Sequence, residues 1–383
     1  VVKVEALASD GDPIRGFQFG NLMDPDLDPS LANRPTKSEP SPLFEMTNRG
    51  KRSIAVDLSE EAGREILYAL VKEADVLITN LRSSTLRSLK ADYETLHDLN
   101  PKLIYGRVTA YGPKGPDCDK RGFDSTAFWS RSGLMAMHGE PDGPPAQMHG
   151  SVGDYTTAVF LFAGVLLALR QRESTGKGSL VDTSLLGAGM WAASHDMVVA
   201  LFKGLDLPRT SRRSPPNPLA NIYLCADGKW MHLCLLQTDR YWDDLCVALQ
   251  EEGLHADSRF RNHSSRCQNS AALVGILDEV IITRPFDEWA ERFDKHNLVW
   301  APVSSPTEVI SDPQVERNNY LVEIDHPSYG KLREIAAPFQ LNGEPLCSGR
   351  RAPEFGESTE QVLLELGYRW EDIVRLKEGK VVL

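Results

Sequence analysis

The stretch "KRSIAVDLSEEAGREILYALVKEADVLITN", residues 51–80, carries the order of elements that decides the fold. Residues 51–58 predict a strand, residues 59–74 predict a helix that Ser59 can cap, and residues 75–79 predict a second strand. The apolar face of the helix is formed, at helical spacing, by Leu67, Leu70 and Val71. A strand, a helix and a strand in this order predict two parallel strands of an α/β sheet.

Residues 102–112, "KLIYGRVTAYG", predict a third strand, which follows a helical stretch that ends near residue 98. Parallel α/β sheets bind their ligands beyond the carboxyl ends of the strands. Asn80 and the pair Tyr111–Gly112 follow two of these predicted ends. We therefore expect a ligand site at this edge of the sheet.

A chain of 383 residues exceeds the size at which one hydrophobic core divides, so two domains are expected. The residues "ANIYLCADGKWMHLCLL" predict a hairpin that turns at Asp227-Gly228, and the helical tail is expected to return to the first domain. The predicted order is 1–206 as the first part of a large α/β domain, a Pro-, Ser- and Arg-rich linker at 207–219, a small domain at 220–305, a second linker at 306–333, and 334–383 as the second part of the large domain.

The composition excludes several classes of function. A net charge of −12 argues against a nucleic-acid partner, which would need an excess of Lys and Arg. The six cysteines form no C-x-x-C pair and the nine histidines form no H-E-x-x-H motif, so a reducing cytoplasm and no metal site are expected. No secretory leader is recognisable in "VVKVEALASDGD". The apolar run from Ala158 to Leu169 is shorter than the about 20 residues of a membrane span, so it predicts a buried core helix and no membrane partner.

The stretch "AQMHGSVGDYTTAVFLFAGVLLALRQR", residues 146–172, places Asp154 directly before this apolar run. Asp is a favoured helix N-cap, so Asp154 is either an ordinary cap or a reactive carboxylate. A helix N-terminus stabilises an ionised acid, and the neighbouring Gly150 and Gly153 let a large ligand approach the backbone. After this helix, residues 170–194 predict a polar turn and a second long helix.

Motifs for competing chemistries are absent from the sequence. No G-x-G-x-x-G follows a predicted strand, and neither G-x-x-x-x-G-K-[ST] nor G-x-S-x-G occurs. Positive charge instead clusters at the ends of predicted elements, either as plain solvated surface or as a site for a phosphate-bearing ligand. The clusters are Arg49, Lys51 and Arg52; Arg82 and Arg87; Lys120 and Arg121.

Nine segments, in order along nearly the whole chain, resemble family III CoA-transferases, a superfamily that includes formyl-CoA transferase, carnitine CoA-transferase and α-methylacyl-CoA racemase. They are "VVKVE", "NRGKRSIAVDL", "EADVLITNLR", "LNPKLIYGRVTAYGPKGP", "GFDSTAFWSRSG", "GDYTTAVFLFAGVLLALRQRESTGKGSLVDTSLL", "NPLANIYLCADGKWMHL", "WAPVSSPTEVISDPQV" and "RRAPEFGESTEQVLLELG". The resemblance implies a large Rossmann-like α/β domain built from both chain ends, a smaller α+β middle domain, and an interlocked homodimer. The irregular excursion at 8–48 suits a segment that wraps a partner.

The same resemblance implies the chemistry. Asp154 would attack an acyl-CoA thioester to form an acyl-aspartyl anhydride, and coenzyme A would then pass to a free organic acid. The residues expected to bind coenzyme A are Arg15, Arg49, Lys51, Arg52, Asn80 and Arg121. Phe123, Asp124 and Gly153 are expected to line the substrate pocket.

Two alternatives stay open at this stage. The racemase branch pairs the acid with the histidine of a Gly-His-Asp triplet, but the corresponding triplet here is Gly122-Phe123-Asp124, and Phe123 cannot carry a proton. The second alternative is a protein that binds coenzyme A without catalysis. Family members usually have a strand and a helix before the segment "VVKVE", and the given sequence does not contain them. No glycine-rich loop occurs between residues 220 and 245, which favours organic acids larger than formate or oxalate.

Overall fold

The computed structural model describes residues 1–16, 41–146, 148–327 and 330–383. Its strands are β1 Val2–Glu5, β2 Arg52–Ala55, β3 Val76–Thr79, β4 Ile104–Thr109, β5 Ser179–Ser184, β6 Ala220–Leu224, β7 Trp230–Cys234, β8 Trp300–Pro302, β9 Leu321–His326, β10 Gly330–Ile335, β11 Gln340–Leu341 and β12 Glu344–Pro345. The predicted parallel α/β pattern is confirmed, since β1 pairs with β2 in parallel and β3, β4 and β5 form a parallel sheet in that order.

The α-helices are α1 Pro42–Asn48, α2 Glu61–Glu73, α3 Ser83–Ser88, α4 Tyr93–Leu99, α5 Leu134–Met137, α6 Val152–Thr175, α7 Leu185–Ala192, α8 Ser194–Lys203, α9 Thr238–Leu249, α10 Glu252–Ala256, α11 His263–Gln268, α12 Ser270–Ile281, α13 Phe286–Lys295, α14 Pro306–Val309, α15 Pro313–Arg317, α16 Thr359–Glu365 and α17 Trp370–Glu378. A π-helix spans Asp124–Ser130. Short 3-10 helices occupy Leu7–Ser9, Pro13–Gly16 and Ser258–Phe260.

The chain folds into two compact units. Unit 1 contains Val1–Gly122, Asp154–Leu185 and Ile310–Leu383, and unit 2 contains Phe123–Gly153 and Leu186–Val309. The sequence placed residues 123–153 and 186–206 with the larger domain, whereas here they belong to unit 2. The predicted domain bounds stay a prediction about evolutionary domains, which compactness alone does not test.

Two core clusters of unit 1 pack against the buried face of its crossover helix α2. The buried face of α2 includes the predicted Leu67 and Val71. In the second cluster, Ile54 and Val56 pack with Ile66 of α2 and with residues from the C-terminal part of the chain: Val362, Leu363, Ile373, Val381 and Val382. Both parts of the chain therefore contribute to the core of unit 1. The prediction that Ser59 caps this helix is wrong. Glu60 is the residue before the helix, and the Ser59 hydroxyl donates a hydrogen bond to the Asp57 carboxylate.

Unit 2 is centred on the predicted hairpin. Strands β6 and β7 pair antiparallel, and Gly228 supplies the positive φ of +81° that the connecting turn requires. β8 adds a third strand beside β7. The hairpin packs with the predicted helical region, and its buried core includes Tyr223, Met231, Trp242, Leu277 and Trp289.

Helix α6 is buried along one face only. Leu161, Val165 and Ala168 pack with Ile104 of β4, whereas Phe162 and Leu167 are 48% and 70% exposed. The predicted buried core helix is therefore buried along one face and exposed along the other in the single chain. The length argument against a membrane span fails, because α6 has 24 residues and its most apolar window has a mean hydropathy of 1.8. By length and composition alone, α6 could cross a membrane, as could α7 with α8 if that pair, bent by 79°, formed one span.

Candidate active site

The direction of α6 places its N-terminus at one particular edge of the parallel sheet. At the other end of the helix, Arg172 donates to Asp75 and to the Lys102 carbonyl, the residues that lead into β3 and β4. In the middle, Leu161 and Val165 lie against Gly106 of β4. The helix therefore runs antiparallel to the strands, and its N-terminus faces their carboxyl ends. Along the helix, Asp154 is about 27 Å from Arg172, whereas strand β4 is about 20 Å long. The helix is therefore long enough to bring Asp154 to the carboxyl ends of the strands.

Asp154 is in the first turn of this helix and is exposed. Since the helix begins at Val152, Asp154 is its third residue, so the reading of this carboxylate as the N-cap is wrong. The position still favours ionisation, because the first turn of a helix carries partial positive charge. Partial burial, and after it the charge of Asp154, raise the pKa of the neighbouring Tyr155.

The loop after β4 brings Arg121 back to the same edge. Gly122 packs so closely on Ala110 that an added Cβ would lie 2.7 Å from the Ala110 Cβ. The loop is also fixed to the start of α3, because Asp119 accepts the Ser84 N–H at 3.0 Å, which holds the pKa of Asp119 below its usual range. Asn80 directly follows β3, between that strand and α3. Asn80, Arg121 and Asp154 thus share the carboxyl edge of the β3–β4–β5 sheet.

Arg121 is exposed and forms no ion pair or hydrogen bond with another residue that the structure describes. The adjacent Lys120 lies over the Tyr111 ring, 5.9 Å from its centroid. Arg121 is one of the six residues expected to bind coenzyme A. Its positive charge is therefore available to an anion at the edge of the sheet that carries Asp154.

Arg15 and Lys51 lie in another part of unit 1, around β1. Arg15 donates to both oxygens of Glu5, at 2.8 and 2.6 Å, and its guanidinium stacks 3.8 Å from the centroid of Phe44. Burial alone would raise the pKa of Glu5, but the hydrogen bonds from Arg15 and Ser53 outweigh it and lower that pKa. Burial, and next the charge of Lys3, lower the pKa of Lys51.

Arg49 and Arg52 are at the amino end of β2, and both are paired with acids from the C-terminal part of the chain. Arg49 contacts Glu334 at 2.7 Å and donates to the Ile335 carbonyl. On the surface, the guanidinium of Arg52 donates to both carboxylate oxygens of Glu365, at 2.7 and 2.8 Å. The positive charges of both predicted phosphate ligands are therefore already paired in the structure.

The three predicted pocket residues belong to unit 2. Phe123 is 74% exposed, whereas Asp124 is 6% exposed at the start of the π-helix. Gly153 is buried against the Phe128 ring and the Asp124 carboxylate. Two of these three residues thus lie inside the protein.

Over the described ranges, no group of three or more His, Cys, Asp or Glu residues is placed to hold a metal ion. The cysteines all have free thiols, and burial raises the pKa of Cys225 to about 11 and of Cys246 to about 12. The absence of a metal stays a prediction.

Comparison with known proteins identifies the class. The sequence model of CoA-transferase family III matches residues 1–359, so the chain belongs to this family. It is 30% identical over 382 residues to (R)-2-hydroxy-4-methylpentanoate CoA-transferase of Clostridioides difficile, covering 100% of this chain and 92% of that protein. It is 31% identical over 386 residues to cinnamoyl-CoA:phenyllactate CoA-transferase of Clostridium sporogenes, covering 100% and 90%.

The fold agrees with that assignment. A solved structure of a CAIB/BAIF family protein from Brucella suis superimposes with a TM-score of 0.82 at 27% identity, covering 96% of this chain and 91% of that chain. The protein is therefore a family III CoA-transferase with a mixed α/β fold, and it acts on CoA thioesters. The family resemblance and the class of enzyme, both expected from the sequence, are confirmed.

The sequence analysis missed two residues that shape the site. Asp119 anchors the loop that carries Arg121, and its only sequence signal is an acid in the turn-rich stretch "GPDCDK". Ser151 adopts a φ of +73° immediately before α6, in a left-handed conformation that is uncommon for serine. Its flanking glycines made a turn predictable, but not which residue would carry the positive φ.

Proposed function

We propose that Asp154 is the nucleophile of a CoA transfer between an acyl-CoA thioester and a free carboxylic acid. In the first step, a carboxylate oxygen of Asp154 attacks the thioester carbonyl carbon, the C–S bond breaks, and the CoA thiolate leaves. The product on the protein is an acyl-aspartyl anhydride. The net reaction converts a thioester and a carboxylate into a new thioester and the carboxylate of the donor, without water.

The observation that carries this proposal is the location of Asp154. It lies in the first turn of α6, at the carboxyl edge of the β3–β4–β5 sheet, and it is exposed. The first turn of a helix both favours the ionised acid and leaves backbone N–H groups that can stabilise the oxyanion of the tetrahedral intermediate. A nucleophile and an oxyanion site thus arise from the same local structure.

The CoA thiolate has to stay bound after the first step, because the acceptor acid receives the same CoA. Arg121 and Asn80 are at the edge that carries Asp154, and Arg121, which has no ion-pair partner among the described residues, offers its positive charge to a phosphate group. Arg15, Arg49, Lys51 and Arg52 remain proposed CoA ligands, but their present partners are acids or other groups of unit 1. We therefore assign the leading role to Arg121.

The two relatives named above suggest the class of acid. The name of the first relative gives (R)-2-hydroxy-4-methylpentanoate as its acid, and the name of the second gives cinnamoyl-CoA and phenyllactate. Both names describe branched or aromatic acids with an apolar tail. An exposed Phe123 in place of the racemase histidine fits an apolar contact with such a tail and cannot exchange a proton. We therefore propose branched or aromatic 2-hydroxy acids as acceptors.

The quaternary structure is part of this proposal. The family resemblance suggests an interlocked homodimer whose large domain is formed by both chain ends, working in the cytoplasm without a membrane or a metal. Exposed apolar residues on α6, α7 and α8 support a second copy as the cover for these helices. The excursion at 8–48, offered as the wrapping segment, falls largely on residues 17–40, outside the described residues.

The experiment compares wild type with Asp154→Asn in an exchange assay that uses acyl-CoA donors and a panel of 2-hydroxy acids. Asn keeps the size of the side chain and one acceptor oxygen, so the first turn of the helix should stay folded. An amide cannot form the anhydride, so we expect kcat to fall by at least about a thousandfold. Hydroxylamine should trap the wild-type anhydride on the peptide that contains Asp154.

The matched control is Glu173→Gln, at the far end of the same helix, where the carboxylate pairs with the exposed Arg170. This variant should keep full exchange activity. If Asp154→Asn retained activity within a few-fold of wild type, Asp154 would not be the nucleophile. Exchange of the α-proton with deuterated water, without CoA transfer, would instead identify an isomerase.

A further inference from the structure

Asp124 is a buried carboxylate with a specific backbone partner. It is 6% exposed, and its Oδ2 accepts the N–H of Ser151 at 3.1 Å. Burying a charged group is costly unless hydrogen bonds compensate it, so this contact is a condition for keeping Asp124 inside the protein. The partner is significant because Ser151 is the residue that immediately precedes α6.

Gly153 packs against the same carboxylate. A Cβ built on Gly153 would lie 2.4 Å from the Asp124 Oδ1 and 2.2 Å from the Cγ of Phe128, closer than any real Cβ contact. A residue with a side chain therefore cannot occupy position 153 unless the turn moves. Gly150, three residues earlier, differs in this respect, since nothing lies within 4 Å of its added Cβ.

Ser151 needs such support. Its φ of +73° is unfavourable for a residue with a Cβ, and such conformations persist when the surroundings fix them. The hydrogen bond to Asp124 fixes the Ser151 N–H, and the contact at Gly153 fixes the chain two residues later. Asp154 follows Gly153 directly in the first turn of the same helix.

We infer that Asp124 is a positioning residue for Asp154, which holds the turn 151–153 so that the first turn of α6 presents the nucleophile in one orientation. This inference rests on the proposed function, because it assigns Asp124 a role in the reaction of Asp154. Asp124 acts through the backbone and not by contact with substrate, in contrast to the pocket role that the sequence suggested. A displacement of about 1 Å at a reacting group can lower a rate by about a hundredfold.

The experiment uses four variants of the protein: Asp124→Ala, Asp124→Asn, Gly153→Ala and, as the matched control, Gly253→Ala. Amide hydrogen exchange over the peptide that contains Ser151 reports the turn. Steady-state kinetics with the acyl-CoA donor report kcat and KM separately, and circular dichroism verifies that each variant is folded.

We expect Asp124→Ala and Gly153→Ala to lose protection of the Ser151 amide and about a hundredfold in kcat, with the acyl-CoA KM within about threefold of wild type. Asp124→Asn keeps an acceptor oxygen for Ser151, so it should retain at least about ten times the kcat of Asp124→Ala. Gly253→Ala, whose added Cβ also meets nothing within 4 Å, should match wild type in every measurement. If Asp124→Ala does not fold, Gly153→Ala and Asp124→Asn test the same turn.

Three results would overturn the inference. A raised KM with an unchanged kcat would place Asp124 in contact with substrate. Equal kcat values for Asp124→Asn and Asp124→Ala, with Ser151 still protected in the Asn variant, would mean that the charge itself takes part in the chemistry. Normal kcat in Gly153→Ala would mean that the turn does not orient Asp154. If wild type yields no hydroxylamine adduct on Asp154, the proposed function fails, while the exchange data still report whether Asp124 holds the turn.

Discussion

At the scale of single residues, the cations of unit 1 differ in what they already bind. Arg15 is enclosed by Glu5 and Phe44, Arg49 is paired with Glu334, and Arg52 is paired with Glu365. A phosphate would have to displace these partners, whereas it would meet no competitor at Arg121 among the described residues. The free charge, and not the number of nearby cations, therefore ranks the candidate CoA ligands.

We expect Arg121→Ala to raise the acyl-CoA KM by about ten- to a hundredfold, because a charge-assisted hydrogen bond contributes about 1.5–3 kcal/mol. The KM of the acid acceptor should change clearly less. Arg170→Ala is the matched control, and it should alter either KM by less than about threefold, since its exposed pair with Glu173 contributes little. Initial-rate measurements with each substrate varied in turn check this, and equal effects of Arg121→Ala on both substrates would refute the assignment.

The sequence predicted the locations of Asn80 and Asp154 because both follow from patterns within one segment. Asn80 ends an apolar strand, and Asp154 precedes an apolar helix. The partners of Arg49 and Arg52 were not predictable in this way, because Glu334 and Glu365 are 285 and 313 residues away along the chain. Which cations are free is a property of the tertiary structure.

At the scale of elements, the sequence analysis missed β5, which completes the parallel sheet. Residues 170–194 were expected to form a turn and a helix, but Ser179–Ser184 pair in parallel with Ile104–Thr109. The segment "SLVDTS" is short and half polar, so its strand character depends on pairing with β4 and not on its own propensity. Across this pair of strands, the guanidinium of Arg107 donates to both carboxylate oxygens of Asp182, at 2.6 and 3.1 Å.

Close packing of α6 on this sheet depends on glycine. A Cβ added to Gly164 would lie 2.7 Å from a methyl group of Val181 on β5. Ala has a helix propensity about 1 kcal/mol better than Gly, but overpacking costs about 1–3 kcal/mol, so we expect Gly164→Ala to lower stability by about 1 kcal/mol. In a Val181→Ala background, the same substitution should become neutral or stabilising, because the obstructing methyl group is gone.

Thermal unfolding of the four chains in this cycle provides the measurement. Gly275→Ala is the control, since Gly275 is within helix α12 and its added Cβ meets nothing within 4 Å. That substitution should raise the melting temperature through propensity alone. If Gly164→Ala stabilised the wild-type chain as much as Gly275→Ala, the proposed close contact of α6 with β5 would be absent in solution.

At the scale of the whole molecule, the single chain leaves many large apolar side chains in water. On α8, Leu201 and Phe202 are 81% and 82% exposed, and this helix has no buried residue. On α7, Trp191 is 70% exposed. Soluble monomers rarely expose contiguous apolar patches of this kind, so these helices fit the interface of the proposed homodimer.

We expect sedimentation to show a stable dimer of wild type at micromolar concentration. Leu201→Asp combined with Phe202→Asp should shift the protein towards monomer or aggregate, because two charges would be buried without partners. Trp370→Asp is the matched control, since Trp370 is an exposed residue at the start of α17, 52% exposed, and it should leave the dimer intact. A folded, monodisperse monomer of wild type would refute the assembly.

The C-terminal tail has a consequence for how the protein is made. Val56, beside β2, forms a bridge with Val382, and Val381 and Val382 pack in the same core as Ile54. Synthesis runs from the N-terminus, so the first strands of unit 1 emerge from the ribosome long before the residues that cover them. A nascent chain carries this apolar surface unprotected until Val381 and Val382 leave the ribosome, and loss of these two residues removes part of the core.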